Sequence, residues 1–167
     1  MTTRWLSPAE QRAWRAYNAA TSLLEDTIDR QLQAETGMPH LHYSILAMLS
    51  EAPDRRLRMT DLAEILKITR SRLTYGVTRL ANDGLVRREG CHSDKRTQIA
   101  VLTDEGMAVL ERAAPDHAEQ VMTAVFDRLT PEQVGQLEEI CGAITRGIQG
   151  ENPGACGEDL PWRRRSS

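Results

Sequence analysis

The clearest structural pattern in the chain lies in residues 59–102, which read MTDLAEILKITRSRLTYGVTRLANDGLVRREGCHSDKRTQIAVL. Apolar residues at helical spacing predict two short helices, one with Leu62, Ile65 and Leu66 and one with Leu73, Val77 and Leu80. The run Asn82-Asp83-Gly84 is typical of a helix end, because glycine adopts the left-handed conformation readily. Alternating residues then predict strands at about 85–88 and 97–102 around a turn at 90–94. The stretch therefore predicts a helix, a tight turn, a second helix and a two-stranded hairpin.

Further helices are expected on both sides of this stretch. Ser7 can cap a first helix and Glu10 can bond back to the cap nitrogen, while Gly37 predicts the end of that helix. A second helix is expected at about 40–50, and a fifth helix is expected to kink or break at Pro115. The other predicted caps are Thr60 for the third helix, Thr69 or Ser71 for the fourth, Thr103 for the fifth and Thr130 for the last.

These signals divide the chain into four segments. An N-terminal helix is expected in residues 5–37, the helix pair with its hairpin in 38–103, and C-terminal helices in 104–150. Within the second segment, the second helix of the pair is about 70–83 and the hairpin about 85–102. The basic tail 151–167 is rich in Gly and Pro and is predicted to be disordered.

The composition excludes several classes of protein. The 167 residues are 40% hydrophobic and 27% charged, which is ordinary for a globular domain, and no apolar run is long enough to span a membrane. No secretory leader is recognised, so a cytoplasmic protein is expected. The cysteines, Cys91, Cys141 and Cys156, are too widely spaced to predict disulfides or a metal site. No catalytic motif stands out, so neither an enzyme nor a cofactor is expected.

Charge is distributed unevenly along the chain. The net charge is −3, yet residues 55–96 carry eleven Lys and Arg against five Asp and Glu, whereas the remainder has ten against nineteen. A basic centre between acidic flanks is an asymmetry that requires an explanation, and a solvated charged face, the commoner cause of a lone charge run, is the alternative to a binding surface. It predicts a polyanionic partner for the central segment, with the acidic helices turned away from that partner.

The predicted order of elements is that of a winged helix-turn-helix, in which the second helix enters the major groove of double-stranded DNA. The side of this helix opposite its apolar residues presents basic and hydroxyl-bearing candidates for DNA contacts: Thr69, Arg70, Ser71, Arg72, Thr74, Tyr75, Thr78 and Arg79. The hairpin, or wing, adds Arg87, Arg88, His92, Asp94, Lys95 and Arg96, and the third helix adds Thr60 as a phosphate contact. A basic solvent-facing helix is the alternative, but the wing repeats the same sign of charge.

The chain resembles the MarR-type transcriptional regulators over nearly all of residues 5–150. The residues that carry the resemblance are Met59-Thr60-Asp61-Leu62-Ala63, Leu80, Gly84-Leu85-Val86-Arg87-Arg88, Asp94-Lys95-Arg96 and Val101-Leu102-Thr103-Asp104-Glu105-Gly106. The resemblance implies a homodimer with intertwined first and last helices. It also implies Arg96 as the minor-groove residue, Asp94 as its organiser, and base or phosphate contacts from Ser71, Arg72 and Thr74. Lys67 departs from the family pattern, since the turn between the two helices often carries Gly or Asn.

Dimerisation is also predicted from the residues alone. The last helix repeats apolar residues every seven positions, with Val134, Leu137, Cys141, Ile144 and Ile148 on one stripe, and the first helix has a similar stripe. Either the stripes pack on their own chain or they pack on a second copy, which would remove them from water. The second copy is favoured, and Cys141 is expected to be buried.

A regulatory input is expected from the resemblance, since members of the family often bind small aromatic or phenolic acids. The candidate lining residues are Trp14, Tyr17, His40, His42 and Met48, which could equally be core residues. Cys91 is a candidate redox sensor, because basic neighbours would lower the pKa of its thiol, although a cysteine without a role is the simpler alternative.

These observations predict a cytoplasmic, sequence-specific repressor that binds a palindromic operator as a homodimer and responds to a ligand or to oxidation. The alternative is a winged-helix scaffold that binds proteins and never touches DNA.

Overall fold

The computed structural model describes residues 3–90 and 98–149, and most of these residues are helical. The helices are α1 (Pro8–Thr36), α2 (His40–Glu51), α3 (Met59–Ile65), α4 (Arg70–Asn82), α5 (Asp104–Ala124) and α6 (Pro131–Gln149). The strands are β1 (Arg56–Arg58), β2 (Val86–Gly90) and β3 (Gln98–Leu102). Short 3₁₀ turns cover Pro53–Arg55 and Phe126–Arg128. Within this part of the chain no helix is long and apolar enough to cross a membrane.

Most helix boundaries follow from their caps. Ser7 and Glu10 form the predicted capping box, and Gly37 ends α1 in the left-handed region with φ 68°. Thr69, rather than Ser71, caps α4, and Thr103 caps α5. Thr130 and Gln133 form the second predicted capping box.

Two helix predictions are wrong. Thr60 does not cap α3, because the helix already begins at Met59, and the Thr60 hydroxyl donates to Asp61 Oδ1 at 3.1 Å instead. The predicted break at Pro115 does not occur, because α5 continues to Ala124. The proline removes one backbone hydrogen bond, and its ring crowds the carbonyl group four residues earlier. Leu110 and Ala113, buried within five residues before it, hold the helix against the core.

The sheet has three strands instead of the predicted two. Its order is β1-β3-β2, and both pairings are antiparallel. Strand β1 is only three residues long, and the sequence predicts it only as a short extended segment at 57–59, not as a strand of the sheet. By pairing with β3, it ties the start of α3 to the wing.

The hydrophobic core lies around α2. Leu46 is fully buried, as are side chains from α1, α3 and α4: Leu32, Leu62, Leu73, Val77 and Leu80. The apolar positions predicted for α4 are therefore confirmed as its core side. We call residues 38–90 and 98–113, which surround this core, the winged module.

The first ten residues of α1 and all of α6 lie outside this core, and we call them the helical arms (residues 8–17 and 131–149). Every residue from 8 to 17 is exposed, and of residues 131–148 only Gly142 and Thr145 are even half-buried. The apolar stripe of α6 is correspondingly open, with Ile140 56% and Ile148 80% exposed. Cys141 is also exposed, so the expectation that it is buried is wrong for the single chain.

Candidate nucleic-acid interface

Helix α4 presents the predicted set of basic and hydroxyl-bearing residues on one surface. All of them are exposed except Thr78, which is half-buried: Thr69, Arg70, Ser71, Arg72, Thr74, Tyr75 and Arg79. The Thr69 hydroxyl accepts a hydrogen bond from the Arg72 backbone N–H at 3.3 Å and so fixes the start of the helix. With its apolar side in the core, α4 can only turn these residues outward.

Gly76 sets how closely α4 approaches α2. A Cβ atom at this position would lie 2.9 Å from Ile45 Cδ1, closer than real side chains pack. Glycine therefore lets the two helices approach without displacing the end of the Ile45 side chain, a close approach that the sequence pattern did not predict. The signal was a glycine on the apolar side of a helix, where it otherwise costs stability.

The turn between α3 and α4 contains Lys67 in a left-handed conformation, with φ 55°. Gly and Asn tolerate this conformation better than Lys, which explains why the usual pattern has Gly or Asn in this turn. The backbone N–H of Ile68 donates to Ala63 O at 3.1 Å and closes the turn. Helices α3 and α4 are thus held together as a pair.

Strand alternation places the two arginines of the wing on opposite faces of the sheet. Arg88 lies on the α4 side, where its Nη1 donates to Thr78 Oγ1 at 3.3 Å. Arg87 lies on the other side and donates from Nε and Nη2 to Glu89 Oε1 at 3.0 and 2.8 Å. Glu89 also accepts from Arg56 Nη2 at 2.9 Å. Arg88 and α4 therefore share a surface, whereas Arg87 and Arg56 belong to an ion-pair cluster.

The remaining wing predictions cannot be placed. His92, Asp94, Lys95 and Arg96 lie outside the described residues, as does Cys91. Thr60 is exposed at the start of α3 and lies beside Arg70 and Thr74 of α4.

The five residues proposed as an effector site are not gathered in one place. His40 and His42 line an open groove of about 650 Å³ between α1, α2 and α4, which also contacts Arg72 and Tyr75. The α1 wall of this groove carries three carboxylates, those of Glu25, Asp26 and Asp29. The others lie elsewhere: Trp14 and Tyr17 stack on each other in α1, and Met48 packs against the core.

A cluster of aromatic rings joins α2 to α5 next to the groove. The His117 ring lies 4.2 Å from that of Tyr43 and 5.7 Å from that of His40, measured between centroids. His117 Nδ1 is buried without a hydrogen-bond partner. Burial lowers the pKa of His117, and the neighbouring His40 lowers it further. Burial also lowers the pKa of His40, against the opposing effect of Asp29 and Glu25.

The described residues contain no group of three side chains that could hold a metal ion. They include only His40, His42 and His117 among the histidines. Residues 3–90 and 98–149 present a basic, hydroxyl-rich helix flanked by a sheet.

Comparison with known proteins identifies the family. The family model described as MarR family matches residues 36–97. The crystal structure of Sco3205, a MarR family transcriptional regulator from Streptomyces coelicolor solved in complex with DNA, is 55% identical in sequence. The alignment covers 98% of this chain and 99% of that one, with a TM-score of 0.87. The chain belongs to the MarR family.

Other relatives of this MarR-family chain are transcriptional regulators as well. AbsC, a MarR family transcriptional regulator from Streptomyces coelicolor, is 38% identical over 89% of this chain and all of its own, with a TM-score of 0.83. The transcriptional repressor YetL of Bacillus subtilis is 33% identical over 111 residues, which is 66% of each chain. The predicted winged helix-turn-helix fold and the predicted class, a transcriptional regulator and not an enzyme, are confirmed.

Proposed function

We propose that this MarR-family regulator is a homodimer that binds a palindromic operator in double-stranded DNA. Helix α4 enters the major groove of each half-site and the wing reaches the neighbouring minor groove. The observation that carries the proposal is the shared surface of α4 and Arg88, which is basic and rich in hydroxyl groups. That Sco3205, 55% identical, was solved with DNA supports the same partner here.

The homodimer is supported by the helical arms. The α6 stripe leaves Val134, Leu137, Ile140 and Ile144 between 36% and 56% exposed in the single chain. A second copy that covers both arms would remove this area from water at about 25 cal/mol per Å². A two-fold dimer would also match the symmetry of an inverted-repeat operator.

A repressor acting in the cytoplasm is the regulatory role that we favour, because the relative YetL is a transcriptional repressor. A small aromatic effector in the groove beside His40 and His42 would touch Arg72 and Tyr75 and so alter α4 directly. The three carboxylates of the α1 wall favour a neutral or cationic head group over the phenolic acid expected from the family resemblance. Oxidation of Cys91 is a separate regulatory input, which would act on the wing.

The test is a titration of the protein against a duplex recovered by random-duplex selection and against a scrambled duplex, at several salt concentrations. Affinity should fall steeply with salt, by a log–log slope of about −0.9 per phosphate neutralised. Arg96→Ala should weaken binding to both duplexes, whereas Arg72→Ala should also reduce the preference for the selected one. Arg112→Ala, at an exposed position of α5, is the matched control.

Two results would contradict the proposal. A flat salt response with weak binding to both duplexes would favour the protein-binding scaffold. A single copy in light scattering, or a recovered site without inverted symmetry, would contradict the dimer. The double variant Leu137→Glu/Ile144→Glu should produce that single copy while the winged module stays folded.

A further inference from the structure

A single carboxylate, that of Glu89, connects the two outer strands of the sheet. Its Oε2 accepts a hydrogen bond from Arg56 Nη2 of β1 at 2.9 Å. Its Oε1 accepts from Arg87 Nε and Nη2 of β2 at 3.0 and 2.8 Å. Because the strand order is β1-β3-β2, the connection between Arg56 and Glu89 crosses the central strand. Glu89 therefore joins two strands that lie on either side of a third.

The strand register shows on which face of the sheet this cluster lies. The Cα atoms of Arg56 and Arg87 are both paired with that of Val101, so these three side chains share one face, and strand alternation adds Glu89 to it. Arg88 lies on the opposite face, toward α4. Val101 is only 8% exposed although it points away from α4. Side chains paired across strands lie close together, so we expect the apolar stems of the two arginines to cover Val101.

The two strands that Glu89 connects lead to the two parts of the proposed DNA surface. Strand β1 ends at Arg58, and α3 begins at the next residue, Met59. Strand β2 precedes the predicted tip of the wing. A two-stranded hairpin is only marginally stable by itself, and β1 adds just three residues to it. The Glu89 cluster therefore supplies a side-chain connection between the wing and the helix pair where the backbone pairing is short.

A carboxylate at this place is unfavourable for DNA binding by its charge alone, because phosphates repel it. Its contacts indicate a different role. Arg87 donates from two nitrogens and Arg56 from one, and the Glu89 side chain is only 31% exposed. Single exposed ion pairs contribute little, whereas several charges joined in a network contribute more. The cluster is thus suited to fixing the geometry of the sheet.

We propose that Glu89 is a positioning residue for DNA binding. By pairing with Arg56 and Arg87, it fixes the angle between the wing and the helix pair, so that α4 and the wing reach neighbouring grooves together. Glu89 itself contacts neither a base nor a phosphate. This role rests on the proposed DNA-binding function, and no sequence pattern pointed to Glu89.

Glu89→Gln separates positioning from direct electrostatics, because the two predict opposite signs. Removing a repelled charge and freeing two arginines would by itself strengthen binding to every duplex and steepen its salt dependence. Positioning predicts that the variant binds the selected duplex at least about fivefold more weakly, which corresponds to the loss of one good ion pair. The loss should be smaller on the scrambled duplex, and the salt slope should not steepen.

The matched control is Glu64→Gln on α3, which removes the same charge from an exposed side chain. This variant should bind both duplexes as tightly as the parent protein or slightly more tightly. Weaker binding by Glu64→Gln, to the same extent as by Glu89→Gln, would show that the effect is not specific to the cluster and would overturn the proposal.

Footprinting of the selected duplex at saturating protein shows which contact is lost. Hydroxyl-radical cleavage reports protection of the minor groove, and dimethyl sulfate reports protection of guanine N7 in the major groove. With Glu89→Gln, protection by the wing in the minor groove should decrease while protection by α4 in the major groove remains. Equal loss in both grooves, with unfolding at a lower urea concentration, would indicate a destabilised module and contradict a positioning role.

A cycle of variants tests whether Glu89 acts through its two arginines. In the background Arg56→Gln/Arg87→Gln, the further change Glu89→Gln should cause no additional weakening. A loss of the same size in that background would overturn the proposal, as would unchanged or tighter binding by Glu89→Gln alone. In these cases the parent protein still binds DNA and the proposed function stands. If the parent protein itself shows no salt-dependent binding, the function fails and the positioning role fails with it.

Discussion

The winged module and the helical arms carry the same kind of apolar pattern but differ in what covers it. In the module, the side chains of Ile45, Leu46 and Leu49 are completely buried by other parts of the same chain. In α6, residues at the same helical spacing remain exposed, and Ile148 is 80% exposed. Periodicity therefore shows which side of a helix is apolar, but it does not show what that side packs against.

This difference separates two sources of stability. The module can be stabilised within one chain, because helices α1 to α5 and the sheet all contribute to its core. The arms gain little within one chain, so in the proposed dimer their stability would depend on the second copy and on protein concentration. Substitutions in the module should change the free energy of unfolding directly, whereas substitutions in the arms should change assembly.

The largest expected effect is that of Gly106→Ala in the module. A Cβ atom at Gly106 would collide with the carbonyl oxygen of Leu85 and lie 2.8 Å from Leu102 Cδ1. Neither the backbone oxygen nor the buried leucine can move freely, so the start of α5 must shift away from the sheet. We expect a loss of about 3 kcal/mol or more in the free energy of unfolding, measured by urea denaturation.

The matched control is Gly135→Ala in α6, where a Cβ atom would meet nothing within 4 Å. Gly135 lies on the side of α6 opposite its apolar stripe, since successive helical residues are about 100° apart. Alanine should therefore stabilise this helix by up to about 1 kcal/mol through helix propensity. A large loss of stability in this variant would show that α6 is packed on all sides and that the comparison is mistaken.

Features encoded by neighbouring residues could be predicted from the sequence. The caps at Ser7, Thr103 and Thr130 and the left-handed Gly84 depend on residues within one turn of each other. The apolar side of α4 also follows from local spacing. Local residues predict extended backbone at 57–59, but they do not predict that β1 joins the sheet, because its pairing with β3 lies more than forty residues later.

The candidate site was predictable as a charged surface but not as a set of free charges. The excess of Lys and Arg in residues 55–96 predicted a basic surface, and the arginines of α4 are exposed there. Which arginines remain unpaired depends on contacts such as Arg56 with Glu89, which are 33 residues apart. Arg58 and Arg56 look equivalent in the sequence, and only the fold separates them.

The next prediction compares a cap in each region. The Thr103 hydroxyl accepts from the Gly106 N–H at 3.0 Å and donates to Gly84 O at 2.8 Å, so it joins α5 to the end of α4. Thr130 makes only the local capping box of α6. Thr103→Ala should cost about 2 kcal/mol and Thr130→Ala about 0.5 kcal/mol in urea denaturation at one protein concentration. Equal losses would mean that α6 unfolds as part of the module.

The smallest expected effect is a dependence of stability on pH. Burial is the main cause that lowers the pKa values of His40, His42 and His117 below the ordinary value of 6.5. Below about pH 6.5 the unfolded chain therefore binds more protons than the folded chain. The free energy of unfolding must then decrease as the pH falls. The decrease ends once the pH falls below the lowered pKa values. These histidines are only partly buried, so solvent screening keeps the effect below that of a lost cap.

His117→Phe tests where this dependence arises. Phenylalanine preserves an aromatic ring against Tyr43 and removes the buried Nδ1 that has no partner. Urea denaturation between about pH 5 and 8, where histidine titrates, should then show a shallower decrease toward acid. Glu10, whose pKa is lowered from 4.5 chiefly by its backbone hydrogen bond with Ser7, acts only at lower pH and does not interfere. An unchanged slope in His117→Phe, with a reduced slope in His42→Asn, would show that the pH dependence arises in the groove beside α4 and not at the junction of α2 and α5.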